Sequence, residues 1–258
     1  MLKPLISRAA TKGIKFLKRF QDGSNRSNNG QLFLLYEIDT FFNQTYDRGL
    51  QITQTPDTPN VYFSKRRIRF YNLIQFFQQT LDLPGSIIEC GCWKGLSSYI
   101  MCQYLKRHHV KFQGENYFMI DSFEGLSQPQ KEDLYTDPNN QQYFVQPKGH
   151  FQGELAEVKD NLKEFPAITY TKGWIPECLD TITDRQYKFV HLDLDLFEPI
   201  SGSLKYFYPR LIKNGILIVD DYGSLDFPGA RKAVDDFCTT NRIKLLTISS
   251  GQGIIFKS

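Results

Sequence analysis

No apolar run in this chain approaches the ~20 residues that a membrane-spanning helix needs, so no transmembrane segment is expected. Cysteine is sparse and irregular. Five occur, at 90, 92, 102, 178 and 238, and Cys90-x-Cys92 has no second pair to complete a zinc site. Reduced thiols, and hence a cytosol-like (cytoplasmic) compartment, are the expectation. A secretory leader is not expected, because the N-terminus lacks a continuous apolar stretch. Acid is absent from residues 1–21, which carry Lys3, Arg8, Lys12, Lys15, Lys18 and Arg19. A net charge of +3 with these six removed leaves −3 on the body, which therefore offers nucleic acid no electrostatic footprint. Neither G-x-G-x-x-G nor G-x-x-x-x-G-K-[ST] occurs, so the phosphate-cradling turns of dinucleotide and P-loop sites are missing.

What the chain does have is two apolar runs that end in paired acids. These are Leu192-Asp193-Leu194-Asp195 and Ile218-Val219-Asp220-Asp221, with Asp220 and Asp221 lying 27 and 28 residues after Asp193. Asp is disfavoured inside strands. A run such as Gly215–Val219 reads as a strand buried on both faces, with its aspartates at the C-terminal edge of a parallel sheet. Asp193 and Asp195, two apart, would project from one face if the strand continued through them. Ligands of open α/β sheets bind at that edge. Four converging carboxylates suit a hard divalent cation. The plainer alternative is a set of solvated strand-end aspartates.

Hydrophobic residues make up 41% of the chain, enough for a sizeable core. Residues 1–30 read as a basic amphipathic arm (2–20) and a polar linker (21–30). The arm could be a packing or dimerisation element, which makes a homo-oligomer the expectation, a weak membrane-surface contact, or a transit peptide. A helical region follows over 31–82, with a loop at 50–62 and Ser64 as N-cap of a helix to about Leu81. Lys65, Arg66, Arg67 and Arg69 are expected on its solvated face. From 83 to 258, strands at 86–90, 117–121, 167–171, 187–193 and 215–220 alternate with helices. The end differs, with a hairpin at 243–249 and 253–256. The expected fold is α/β, a Rossmann-like, mostly parallel sheet with helices on both faces, closed by an antiparallel hairpin as in class I methyltransferases. The segment 122–149 is the longest irregular stretch, and its part 126–149 reads as a lid, or the stretch as a functionless loop.

After the first strand comes Glu89-Cys90-Gly91-Cys92-Trp93-Lys94-Gly95, whose glycines permit a tight turn and close backbone approach. Glu89 would repel a phosphate but welcome the sulfonium of S-adenosylmethionine. Asp121, at the end of the second strand, is placed to accept bonds from ribose hydroxyls, or to serve as a turn residue.

Taken in order, LPGSIIECGCWKGLSS (83–98), IDSFEGL (120–126), KGWIPECL (172–179), HLDLDLFEP (191–199), YPRLIKNGILIVDDYG (208–223) and GARKAVDDF (229–237) resemble the macrocin O-methyltransferase (TylF/MycF-type) family. That resemblance implies a metal-dependent, S-adenosylmethionine-using methylation of sugar hydroxyls. It implies that Glu89, Gly91 and Gly95 line the methionine end of the donor, that Asp121, Ser122 and Phe123 hold its ribose, and that Trp174 and Ile175 lie near its adenine. It implies Asp193, Asp220 and Asp221 as ligands of Mg²⁺ or Mn²⁺, and Asp195 as general base beside the ligand Asp193. Cys178 departs from the Thr common in the family. The implied partner is a small hydroxylated, sugar-containing acceptor. A catechol-type phenol acceptor is the alternative within methyltransferases. An NAD-dependent oxidoreductase and a non-catalytic binding module are the alternatives outside them; the first lacks its glycine fingerprint and the second should have lost its acids.

Overall fold

The computed structural model describes residues 35–56, 63–137, 139–144 and 146–258. The basic arm and linker read at 1–30 lie outside them. The chain divides into two compact units, Met1–Gln44 and Thr45–Ser258. In the first, the described residues form α1 (Leu35–Ile38) and the start of α2 (Thr40–Thr53). The Asp39 carboxylate caps α2 by accepting the Phe42 N–H at 2.9 Å. The helix runs on to Thr53, past the 50–62 boundary expected for a loop. In the second unit, α3 (Phe63–Gln78) begins one residue before Ser64, so Ser64 is inside the helix rather than its cap.

The second unit is built on β1 (Ser86–Cys90), β2 (Tyr117–Asp121), β5 (Thr169–Lys172), β6 (Tyr187–Leu192), β7 (Leu211–Val219), β8 (Leu245–Thr247) and β9 (Gly253–Phe256). Among the described residues these form one sheet in the order β5-β2-β1-β6-β7-β9-β8. The pairs from β5 to β7 are parallel, and β9 runs antiparallel to both β7 and β8. The parallel sheet with a C-terminal antiparallel hairpin is thus present. Connections lead from β1 outward in one direction to β2 and β5, and from β6 in the other, so the topological switch lies between β1 and β6.

Strand alternation assigns the two faces. Ile88, Cys90, Val190, Leu192, Leu217 and Val219 join the core shared with α6 (Phe197–Phe207) and α7 (Pro228–Asn241). Each fully buried Leu, Ile or Val there contributes roughly 1.5–3 kcal/mol. The opposite face carries Glu89, Phe189 and His191 against α3 and α4 (Leu96–His108). There the Phe77 ring meets Phe189 edge-on at 5.0 Å between centroids, and Ser98 donates to Glu89.

Two local expectations change. β6 stops at Leu192, so Asp193 and Asp195 do not share a face by strand alternation; they lie in the following loop, where Asp195 takes φ +61°. The segment 126–149 is more organised than its composition suggests. Its neck is closed by the Leu126 N–H to His150 O (2.8 Å) and the Gly149 N–H to Leu126 O (2.9 Å). Inside it lie a 3₁₀ turn at Lys131–Asp133 and a short hairpin, β3 (Tyr135–Thr136) with β4 (Gln142–Tyr143). Asp133 ties the turn down by accepting the N–H of Phe197, the first residue of α6, at 2.8 Å.

Candidate active site

The turn after β1 and the loop after β6 meet at the topological switch. The Asp193 N–H donates to Cys90 O at 2.9 Å, and a Cβ on Gly91 would overlap the Asp193 carbonyl. Gly91 has φ +79°, so conformation and space both require glycine. Above this junction lies a cavity of about 910 Å³. Gly91, Asp121, Ser122, Trp174 and Ile175 form one wall, and Asp193, Asp195, Asp220, Asp221 and Arg69 another.

Asp121 holds the first wall together. Its Oδ2 accepts the N–H groups of Cys92 (2.7 Å) and Trp93 (3.0 Å), and its Oδ1 accepts that of Phe123 (2.7 Å). Trp93 and Phe123 have positive φ, 44° and 59°. Such conformations cost free energy in non-glycine residues and persist where surrounding bonds hold them. Ser122 reaches the cavity while its Oγ donates to Gly125 O and accepts the Glu124 N–H.

Three of the residues expected at the donor do not reach the cavity. Glu89 is fully buried under β1; its carboxylate accepts from Ser98 Oγ and pairs with His191 Nδ1 at 2.9 Å. It sits on the α4 face of the sheet because it alternates with Ile88 and Cys90, which point the other way. Glu89 thus lies beneath the turn, facing Ser98 and His191 rather than the cavity. Gly95 packs on Leu162 and Val158 at the start of α4. Phe123 is buried, and its backbone serves Asp121.

On the second wall, Asp193, Asp195 and Asp221 each offer a carboxylate oxygen within 4.8 Å of the others. Asp220, expected among the ligands, has other partners here: its Oδ1 accepts from Gln252 Nε2 at 2.6 Å and its Oδ2 from Arg69. The Arg69 guanidinium also reaches Asp221 Oδ1 at 3.1 Å. Asp221 Oδ2 is buried with no partner. Crowding is visible in the acidities. Burial, then the Asp221 charge, pushes the Asp193 carboxyl up to about 7, and the same causes with Asp193 raise Asp195 well above the carboxylate range. Burial also opposes ionisation of Asp221, but the Arg69 charge and hydrogen bond, with the adjacent Asp195 and Asp193 carboxyls keeping protons in its stead, hold this group low. An orphaned oxygen among mutually repelling carboxylates fits an oxygen-loving divalent cation.

Sequence reasoning missed two participants. Arg69 was expected on a solvated face with Arg66 and Arg67. Instead Arg66 lines the cavity and donates to Pro56 O (3.1 Å), Arg67 pairs with Asp47 (2.5 Å), and Arg69 enters the acids. His191 stands between Glu89 and Asp220, with Nε2 3.6 Å from Asp220 Oδ1. The one available signal was its position two residues before Asp193 in a buried run.

The sequence profile of the macrocin-O-methyltransferase (TylF) family matches residues 39–253. A relative from Streptomyces olivaceus, 8-demethyl-8-(2,3-dimethoxy-alpha-L-rhamnosyl)-tetracenomycin-C 4'-O-methyltransferase, is 25% identical over 188 residues, covering 70% of this chain and 69% of the relative. Demethyldecarbamoylnovobiocin O-methyltransferase from Streptomyces niveus is 26% identical over 175 residues, covering 66% and 64%. The matched segments thus span about two thirds of these relatives. Among solved structures, the O-methyltransferase NovP superposes with a TM-score of 0.60 at 22% identity, covering 74% of this chain and 79% of that one. The calicheamicin methyltransferase CalS11 superposes at 0.61 with 17% identity, covering 83% and 91%. Those two likenesses establish the class I methyltransferase fold, and the profile match, which spans most of the chain, sets aside the oxidoreductase alternative: the chain belongs to the macrocin-O-methyltransferase (TylF) family of O-methyltransferases.

Proposed function

We propose that this protein transfers the methyl group of S-adenosylmethionine to a hydroxyl of a saccharide, free or carried on a glycosylated natural product, with Mg²⁺ or Mn²⁺ at the acidic wall. The observation that carries this reading is the direct abutment of the two walls. The Gly91 turn is in backbone contact with the loop that bears Asp193 and Asp195. A donor on one wall and an acceptor on the other would share one cavity. Holding two reactants in that way lowers a transfer barrier by several kcal/mol through proximity. The relatives' names favour a sugar acceptor, since one carries a rhamnosyl group in its name and another from Micromonospora griseorubida is a mycinamicin III 3''-O-methyltransferase.

Each residue then has a task. Gly91 lets the donor approach the backbone closely, Ser122 borders its ribose, and Trp174 and Ile175 offer an apolar wall for its adenine. Asp121 shapes the turn, leaving whatever oxygen lone pairs its three backbone bonds do not use for the ribose hydroxyls. Asp193 and Asp221 would hold the cation, with a third oxygen from Asp195 or Asp220. A cation bound there supplies Lewis acidity toward a sugar hydroxyl whose own pKa lies far above neutrality. Asp195, buried in the cavity wall, accepts the hydroxyl proton when ionised. The segment 126–149, hinged at its closed neck, helps exclude water.

Calorimetry should show binding of S-adenosylmethionine and S-adenosylhomocysteine and none of NADH. Methyl transfer from labelled donor to a glycoside panel should stop in excess EDTA, and Asp221→Asn should lower it by at least about 100-fold, since a ligand counts for no less than the groups that orient it. Binding of NADH alone would refute the donor assignment, and undiminished transfer in EDTA would refute the cation.

A further inference from the structure

Arg69 occupies an unusual position for a helix-surface arginine. Its Nη2 donates to Asp220 Oδ2 and to Asp221 Oδ1, the second at 3.1 Å. Its side chain is still 30% exposed and borders the 910 Å³ cavity, so it has room to withdraw. A guanidinium does not lose its proton in a protein, so it can give up these partners only by moving. Its single charge is set against four carboxylates and leaves Asp221 Oδ2 without a partner. Asp220 is held in place independently, because Gln252 Nε2 grips its Oδ1 at 2.6 Å and Ser250 Oγ in turn donates to Gln252 Oε1 at 2.8 Å. Only Asp220 Oδ2 can therefore change partner without moving the carboxylate.

Resting on the cation assigned under the proposed function, we infer that Arg69 is a resident counter-cation that competes with the divalent ion for Asp220 and Asp221. Without the ion, Arg69 keeps Asp220 out of the ligand set, and the acids that remain gathered are Asp193, Asp195 and Asp221. A guanidinium and a dication repel one another strongly at such range, so the two do not share these oxygens. When the ion enters, Arg69 swings into the cavity and Asp220 Oδ2 becomes a ligand beside Asp193 and Asp221. Asp195 is thereby left to take the acceptor proton. The exchange orders the site: loading the ion both completes its ligands and releases the base.

The test is a titration of the full chain with MnCl₂, read by electron paramagnetic resonance of the unbound ion, so that no turnover is needed. Arg69→Gln is expected to bind Mn²⁺ roughly ten-fold or more tightly than the parent, because a competing charge has gone. Arg69→Lys, whose point charge cannot bridge both aspartates, is expected to tighten binding less, by roughly three-fold. Adding Asp220→Asn to Arg69→Gln is expected to remove most of the gain. A merely structural arginine would give the opposite sign, since loosening the site weakens ion binding. Unchanged or weaker Mn²⁺ binding in both single variants overturns the inference, as does a gain that survives intact in the double variant. If Arg69→Gln does not fold, Arg69→Lys decides alone by the same sign. Absence of Mn²⁺ binding in every form, with S-adenosylmethionine still bound by calorimetry, overturns the cation itself and this inference with it, while the donor assignment stands.

Discussion

On the β1–β2 side of the cavity, both oxygens of Asp121 and both of Glu89 have partners. On the β6–β7 side, Asp221 Oδ2 has none, and burial and then the Asp221 charge raise the acidities of Asp193 and Asp195 above the usual carboxylate range. The first wall is complete as folded. Backbone N–H groups, which carry no net charge, satisfy its acid and fix its turn, so a donor can bind without reorganising it. The second wall is incomplete and leans on a borrowed cation, Arg69. Buried charge without compensation is expensive, and a protein retains it where a ligand will supply the missing charge. Preorganisation on one side and deliberate deficit on the other suit a site that takes a large organic donor and a small, hard ion.

The contrast can be attacked first where the walls touch. Gly91→Ala places a Cβ against the Asp193 carbonyl at a φ that alanine disfavours. It should cost about 3 kcal/mol in urea denaturation and impair donor and Mn²⁺ binding together. Loss of donor binding with Mn²⁺ binding untouched would mean that the walls are not mechanically joined. Next, Asp121→Ala strips three N–H groups of their acceptor and should lower stability and donor affinity by about 1–3 kcal/mol, with no change in Mn²⁺ affinity. A matching loss of Mn²⁺ binding would dissolve the distinction between the two sides. The smallest effect is expected at Asp133→Ala, which frees the 3₁₀ turn from α6. It should cost about 1 kcal/mol and speed amide exchange over 127–134 while leaving the neck at Leu126 and Gly149 protected. Unaltered exchange there would show that Asp133 is not the tether. Gly229 supports the tether from α7, since a Cβ at that position would collide with the Asp133 carboxylate.

Much of the fold was readable because its signals are local. The Ile216–Val219 run is apolar throughout and rich enough in β-branched residues to declare a buried strand, and Tyr187–Leu192, apolar at four of six positions, does so less strongly; both are buried strands. The closing hairpin followed from two short apolar runs around a Ser/Gly turn. Strand ends were less legible. Asp193 was read into β6, but the chain leaves the sheet at Leu192, and the acids converge through a loop that alternation does not describe. The 126–149 segment looked irregular because Pro, Asn and Gln hide a two-residue hairpin whose pairing depends on contacts rather than on pattern.

The sequence by itself determined which groups are present and roughly where along each element they fall: a glycine turn after the first strand, an acid after the second, paired aspartates after two more. Period-2 and period-3.6 patterns do that much, because burial of apolar surface is paid residue by residue along the chain. The tertiary structure alone decided which groups meet. Glu89 turns to His191 because the two strands align them in register on one face. Arg69 meets Asp220 across 151 residues of sequence, on a helix whose pattern marked it as solvated. Helical periodicity states which side of a helix a charge occupies, but the free energy of that charge depends on what is packed opposite, and here it is four carboxylates, with Asp221 Oδ2 buried and unpartnered among them.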